Sequence, residues 1–400
     1  MQRRDFLRGL GVLGCSVAAH PLMTTVTLAG SDGGRPLGDH RLVVMILRGA
    51  MDGLDVVQPQ GAAEFASYRP QLLRPDATDL DGFFRLHPAL GDLMPLWGAG
   101  ELGFVHATST PYRNKRSHFD GQDILEACTG LDVPDAAVRD GWLNRLLQSQ
   151  SGLTSETAYA VGIDALPLLA GPAAVKEWAP ETRLALTPQS RLLLERVYHD
   201  DVLFQSAVLE AMELADAGNL GEGMIPNETG GKVKLDDVDV LIDYASARLL
   251  QDTRIAAFSL SGWDTHKGQR EALPKSLTRL QQAILRLKLG LGPQVWGKTT
   301  VLAMTEFGRT AHENGTQGTD HGTGGVMVMA GGALRGGKVY GQWPGLAEAD
   351  LFERRDLMPT SDVRAWAAHA MRGMYGIDRA VLENAVFPGL QMGDDPGLLR

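Results

Sequence analysis

The chain has 400 residues, 44% hydrophobic and 22% charged, which is the balance of a globular protein with a sizeable core. Its formal net charge of −10 argues against nucleic-acid binding, which normally needs a basic face. Two cysteines, Cys15 and Cys128, rule out a disulfide-stapled scaffold, since one of them lies in a leader-like segment.

Residues 1–29 read as a targeting segment. Arg3-Arg4 directly precede Asp5-Phe6-Leu7, and a weakly apolar, Gly/Ala-rich stretch runs on to Ala29. This pattern resembles a twin-arginine export signal, with Thr27-Leu28-Ala29 as the small-residue cleavage site. The twin-arginine translocase is then the partner during export. "VLGC", ending at Cys15, is a lipoprotein-like alternative, ranked lower because its apolar run is short. Beyond the leader no run of about eighteen apolar residues occurs, so no membrane span is expected in the mature chain. That places the mature chain, in expectation, in the periplasm or outside the cell.

Residues 30–40 read as a linker, and 41–400 as a single domain. "RLVVMIL" (41–47) is a buried strand by its unbroken apolar run. "HPALGDLMPLWGAG" (87–100) predicts a helix, and 102–108 a second strand. Ser117 is a good N-cap for a helix reaching Cys128, whose thiol falls on an apolar position. Further helices are predicted at 141–150, 190–216, 237–252, 273–291 and 361–376, and strands at 158–163, 255–262, 299–304 and 325–332. The stretch 219–234 is a polar, Gly-rich break. Strands alternating with helices imply an α/β fold whose mainly parallel sheet is covered on both faces.

Ligand sites in such sheets lie beyond the carboxyl ends of the strands. Asp52 follows the first strand, and Arg113, Lys115 and Arg116 precede Ser117 and His118 after the second. Asp264 and His266 follow 255–262, and Glu306 and Arg309 follow 299–304. Asp320-His321 lies in "GTDHGTGG", ahead of a strand rather than after one. The connection 305–324 has no helical period, and a helix-free return implies an antiparallel strand. The sheet is therefore mixed, and Asp320 and His321 come to the same edge as Glu306. Asp264, His266, Asp320 and His321 form an oxygen/nitrogen set suited to Zn²⁺, Mn²⁺ or Fe²⁺, with Asp52 and Glu306 completing it or holding a second ion. Ser117 is either a nucleophile near that ion or a plain helix cap. His118 is either a functional neighbour or a surface histidine. Arg116 and Arg309 are candidates for binding an oxyanion, with a local Glu306–Arg309 ion pair as the alternative for the latter.

Together, "LRGAMDG", "RSHFDGQD", "GWDTH", "TEFGRT", "TDHGTGGVMVMAGG" and "VYGQWPGL" resemble a bacterial family of twin-arginine-exported proteins of unknown function, domain of unknown function 1501. The resemblance implies kinship with the alkaline phosphatase and sulfatase superfamily, and hence a three-layer α/β/α fold with two metal sites and a Ser, Thr or formylglycine nucleophile. Carried onto this chain, Ser117 resembles the nucleophile, Asp264 and His266 one metal's ligands, and His321 the late histidine. Phe307 stands where a second metal's histidine is expected, and no Cys-x-Pro-x-Arg signature is present. The expected activity is metal-dependent hydrolysis of a small-molecule or glycan-linked anionic ester, phosphate before sulfate. Ser117 or a metal-bound water would be the nucleophile. The alternative is a catalytically degenerate member that binds a glycan or protein partner in the cell envelope.

Overall fold

The computed structural model describes residues 37–113, 116–128, 130, 140–180, 225–226, 232–233 and 238–400. The leader, Cys15, Lys115, the helix expected over 190–216, and most of the linker and of 219–234 lie outside the described residues.

Nine strands form the main sheet among the described residues. They are β1 (Arg41–Arg48), β2 (Leu102–Ser109), β3 (Ala158–Val161), β4 (Lys176–Trp178), β5 (Ile255–Ser261), β6 (Thr299–Met304), β7 (Gly325–Ala330), β8 (Val339–Tyr340) and β9 (Ser361–Asp362). Their order is β8-β2-β7-β6-β1-β5-β3-β4, and β9 also pairs with β2. Every pairing is parallel except the two made by β7, which runs antiparallel to β6 and to β2. The helix-free return from β6 therefore reverses the chain, as its composition implies. This puts the start of β7 beside the carboxyl ends of β6, β1 and β2.

Among the described residues, five longer helices flank the sheet: α1 (His118–Ala127), α2 (Trp142–Gln148), α3 (Val238–Leu249), α4 (Gln269–Trp296) and α5 (Val363–Tyr375). Alternate residues of β1 feed two cores. Leu42, Val44 and Ile46 pack with Trp142 and Leu146 of α2 and Met371 of α5. Val43, Met45 and Leu47 pack with Ile242 of α3 and Leu277 and Ile284 of α4. A strand covered on both faces has no polar side to show, which is why "LVVMIL" lacks alternation.

Several expected elements differ in extent. The helix expected over 87–100 is a 3₁₀ run, Pro88–Leu93, followed by a short helix, Met94–Gly98. Pro95 has no N–H with which to continue the first run. β3 stops at Val161 because Gly162 takes φ +117°. Strands β4, β8 and β9 are two or three residues long, too short to leave a pattern in sequence. Cys128 is buried with a free thiol that its surroundings hold in the neutral form.

Candidate functional site

The site forms where the carboxyl ends of β1, β5 and β6 meet the amino end of β7. Gly49 follows β1 with φ +119°, and a Cβ there would sit 2.7 Å from the Asp264 amide nitrogen. Only glycine lets the loop after β1 pass so close to the loop after β5. Gly318 plays a similar part in "GTDHGTGG": an added Cβ would meet the His266 and Thr265 backbone at 2.4 Å. Its φ is not positive, so it is retained for close approach rather than for a special turn. Backbone bonds from Gly308 N to Thr323 O and from Thr310 N to Asp320 O then carry the β6–β7 pairing outward as far as His321.

Three histidines meet at Asp264. His321 Nε2 lies 3.3 Å and His266 Nε2 3.1 Å from Asp264 Oδ1, and His118 Nε2 is 3.4 Å from Oδ2. The Nε2 atoms of His266 and His321 are 2.9 Å apart. Each ring is fixed from behind through Nδ1. His118 Nδ1 is 2.8 Å from Glu306 Oε1, His266 Nδ1 is 3.1 Å from Asp320 Oδ1, and His321 Nδ1 is 2.7 Å from the Arg116 carbonyl. Ionised carboxylates and carbonyls only accept, so a neutral ring that donates through Nδ1 to the partner behind it turns the Nε2 lone pair toward Asp264. The 2.9 Å contact between the two Nε2 atoms is satisfied by a proton on one ring or by a cation that both lone pairs face.

This arrangement fits a metal. Ligand atoms around a tetrahedral ion with bonds near 2.1 Å stand roughly 3.4 Å apart, close to the separations seen here. His118, Asp264 and His321 each offer a ligand atom within 4.8 Å of the others. The buried Nε2 of His118 has no hydrogen-bond partner of its own. A carboxylate or carbonyl behind each imidazole is the arrangement that orients metal-bound histidines.

Electrostatics keep the donors available. Burial pushes Asp264 up, but the Arg309 guanidinium, 2.6 Å away, and the histidines hold it below its ordinary value. Burial and the neighbouring His118 hold His321 below the usual imidazole range, against the pull of the Arg116 carbonyl, so it stays neutral. The hydrogen bond to Glu306 raises His118 despite partial burial. Glu306 is fully buried; hydrogen bonds from His118, Gln122 and the Gly49 amide nevertheless hold it below the usual range.

The structure brings His118, Asp264, His266 and His321 together and gives the other expected site residues different work. Glu306 accepts from His118, Gln122 Nε2 and Gly49 N on Oε1 and from Thr305 Oγ1 on Oε2, so both its oxygens are engaged and it orients His118. Asp320 Oδ1 faces His266 Nδ1 and Asn314 Nδ2 and acts behind His266. Asp52 is away from the cluster: Oδ1 caps the helix Gly53–Val56 through Leu54 N, and Oδ2 takes Arg69, Gln269 and Thr319. Arg309 donates to the carbonyls of Gly49, Ala50, Trp263 and Thr319 as well as to Asp264, so it ties loops together rather than clamping an oxyanion. Arg116 turns its guanidinium to Asp356 and Glu353, and its left-handed backbone, φ +50°, aims its carbonyl at His321. Ser117 Oγ caps α1 weakly, accepting from Asp120 N at 3.5 Å.

Sequence reasoning missed Gln122 and the role of Phe307. Gln122 is four residues beyond His118 on α1, so both share a helix face and reach Glu306 together. Phe307 is buried and stacks beneath His118, with centroids 5.4 Å apart and planes 20° from parallel. It packs against the His118 ring. Apart from the cluster, a cavity of about 820 Å³ runs along α1 to the ends of β3 and β4, lined by Asp123, Ile163, Asp164, Leu166 and Trp178. No helix among the described residues is long and apolar enough to cross a membrane.

The family described as "Protein of unknown function (DUF1501)" matches residues 129–385. No curated protein matches the chain. Solved structures that resemble it include a protein in the alkaline phosphatase superfamily from Vibrio parahaemolyticus, with 11% identity, a TM-score of 0.39, and coverage of 90% of this chain and 72% of that one. The soluble domain of lipooligosaccharide phosphoethanolamine transferase A from Neisseria meningitidis matches at 12% identity and TM-score 0.35, covering 74% and 78%. A lipoteichoic acid synthase from Listeria monocytogenes matches at 10% and 0.39, covering 87% and 76%. The likeness is coarse and concerns the fold.

Proposed function

This chain belongs to the DUF1501 family, and we propose that it is an exported, metal-dependent hydrolase of anionic esters, phosphate before sulfate. The observation that carries the proposal is the pair of Nε2 atoms, His266 and His321, held 2.9 Å apart at Asp264 with each ring tied through Nδ1. A donor set of three imidazoles and one carboxylate suits Zn²⁺, Mn²⁺ or Fe²⁺. When bound, the ion would supply positive charge at the ester oxygen and the acidity that makes water nucleophilic at neutral pH.

The chain's own residues then have defined parts. His118, Asp264, His266 and His321 hold the ion. Glu306, Asp320 and the Arg116 carbonyl fix the rings. Ser117 is a helix cap, and water is the nucleophile. The arginine pair and apolar run of residues 1–29 support export by the twin-arginine translocase and a site of action outside the cytoplasm.

A second reading is a metal-holding binder of a glycan or protein that turns nothing over. The engagement of Arg116 and Arg309 by the protein's own carboxylates and carbonyls favours it. The test is metal analysis of protein purified without chelator, with assays on aryl phosphate and aryl sulfate esters. His321→Ala and Ser117→Ala are run beside the native chain. Expected are a bound ion and turnover in the native chain, loss of both in His321→Ala, and near-native turnover in Ser117→Ala. A metal-free native protein sinks the proposal. Bound metal with no turnover on either ester favours the binder. Turnover abolished by Ser117→Ala with metal retained restores the serine as nucleophile.

A further inference from the structure

We infer that the site takes one ion per chain and that Arg309 supplies the second positive charge there. The inference rests on the metal-dependent reading above. Two-ion ester chemistry places its ions about 3.5–4 Å apart, each with its own ligands. Among the described residues, the buried carboxylates that could build a second set already have partners. Glu306 receives four hydrogen bonds on its two oxygens. Asp52 pairs with the buried Arg69 at 2.7 Å and also receives Gln269 and Thr319. Asp356 takes Arg116 and Thr323 on Oδ2 and lies 3.2 Å from Arg355 on Oδ1.

Arg309 occupies the buried side of Asp264, whose side chain is otherwise 45% exposed. Arg309 itself is only 1% exposed. Its Nη2 donates to Asp264 Oδ1 at 2.6 Å, and that same oxygen lies 3.1 and 3.3 Å from the Nε2 atoms of His266 and His321. Asp264 thus stands between the imidazole lone pairs and a guanidinium. Four backbone carbonyls hold it in place, those of Ala50, Thr319, Gly49 and Trp263. A second ion on that side would face a fixed like charge and would have to break those bonds. Arg309 is therefore a positioning residue. It fixes Asp264, partly neutralises it, and fills the space a second ion would need.

The experiment loads the full chain with excess Zn²⁺ or, separately, Mn²⁺, removes unbound ion by gel filtration, and counts metal per chain by plasma mass spectrometry. Crystals of the loaded protein are measured at the metal absorption edge. One equivalent is expected, with a single anomalous peak among His118, Asp264, His266 and His321 and the Arg309 guanidinium still on Asp264. Two equivalents, or a second peak displacing that guanidinium, overturn the inference and leave metal dependence standing. No bound ion overturns both.

Discussion

Glu306 was expected as a ligand because a carboxylate follows a strand end, but its value to the site lies in what it does to His118. It is fully buried, and the hydrogen bond at 2.8 Å to Nδ1 settles which imidazole nitrogen is left free. A glutamine of the same shape replaces one acceptor oxygen with an NH₂ that can donate but not accept. In the flip that keeps the oxygen on His118, the NH₂ donates to Thr305 Oγ1, whose own proton goes to the Leu47 carbonyl, so what is lost behind His118 is the negative charge. Partners behind metal-bound histidines are worth roughly 10–100-fold in ion affinity. Glu306→Gln should therefore weaken Zn²⁺ binding by about that factor, measured by competition with a chromophoric chelator. Affinity within twofold of the native chain would show that His118 is oriented by its stacking on Phe307 alone.

The amino end of α4 locks the loop after β5 to the connection between β6 and β7. Gln269, the first residue of α4, is fully buried. Its Oε1 accepts from Thr265 Oγ1 at 2.9 Å, next to His266, and from Thr319 Oγ1 at 2.7 Å, next to Asp320. Its Nε2 is anchored on Asp52 at 2.6 Å and Asp55 at 2.8 Å. One amide thus sets the distance between the segments that carry His266 and Asp320-His321. Burial and the nearby Asp52 raise Asp55 to about 6, so the anchor is already electrostatically stressed and tolerates little further loss. Leucine at 269 would fit by volume but leave the Thr265 hydroxyl without its acceptor and take one donor each from Asp52 and Asp55, which keep Arg69 and Gln58; an unpaired buried group costs about 1–3 kcal/mol. Gln269→Leu should lower the melting temperature by several degrees and weaken ion binding about tenfold or more. A folded variant with native ion affinity would mean that the backbone bond from Thr319 N to Thr265 O holds the spacing unaided.

At the scale of the whole molecule, the sequence made the sheet legible wherever composition dictates pairing. The unbroken apolar run of β1 required cover on both faces, and the helix-free 305–324 required β7 to run backwards. The side-chain assignments of the site were harder to read. Arg309 was a candidate for anion binding because its partners are carbonyls from four separate places, Gly49, Ala50, Trp263 and Thr319, whose meeting no local pattern reports. That same dispersal has a thermodynamic consequence. The donors proposed for the ion come from α1, the loop after β5 and the connection before β7, segments separated by more than 140 and by more than 50 residues in sequence. The unfolded chain cannot present them together, so an ion that binds only the native state stabilises it by mass action. Free ion at 100 times its dissociation constant contributes about 2.7 kcal/mol, a shift of a few degrees in a protein of this size. The melting temperature should therefore fall by that amount when a chelator strips the native chain and recover when Zn²⁺ is restored. His321→Ala should show no such response, which separates the site from non-specific effects of chelator or metal. An equal response in that variant would place the stabilising ion elsewhere in the chain, and no response in the native chain would remove the ion from the native fold altogether.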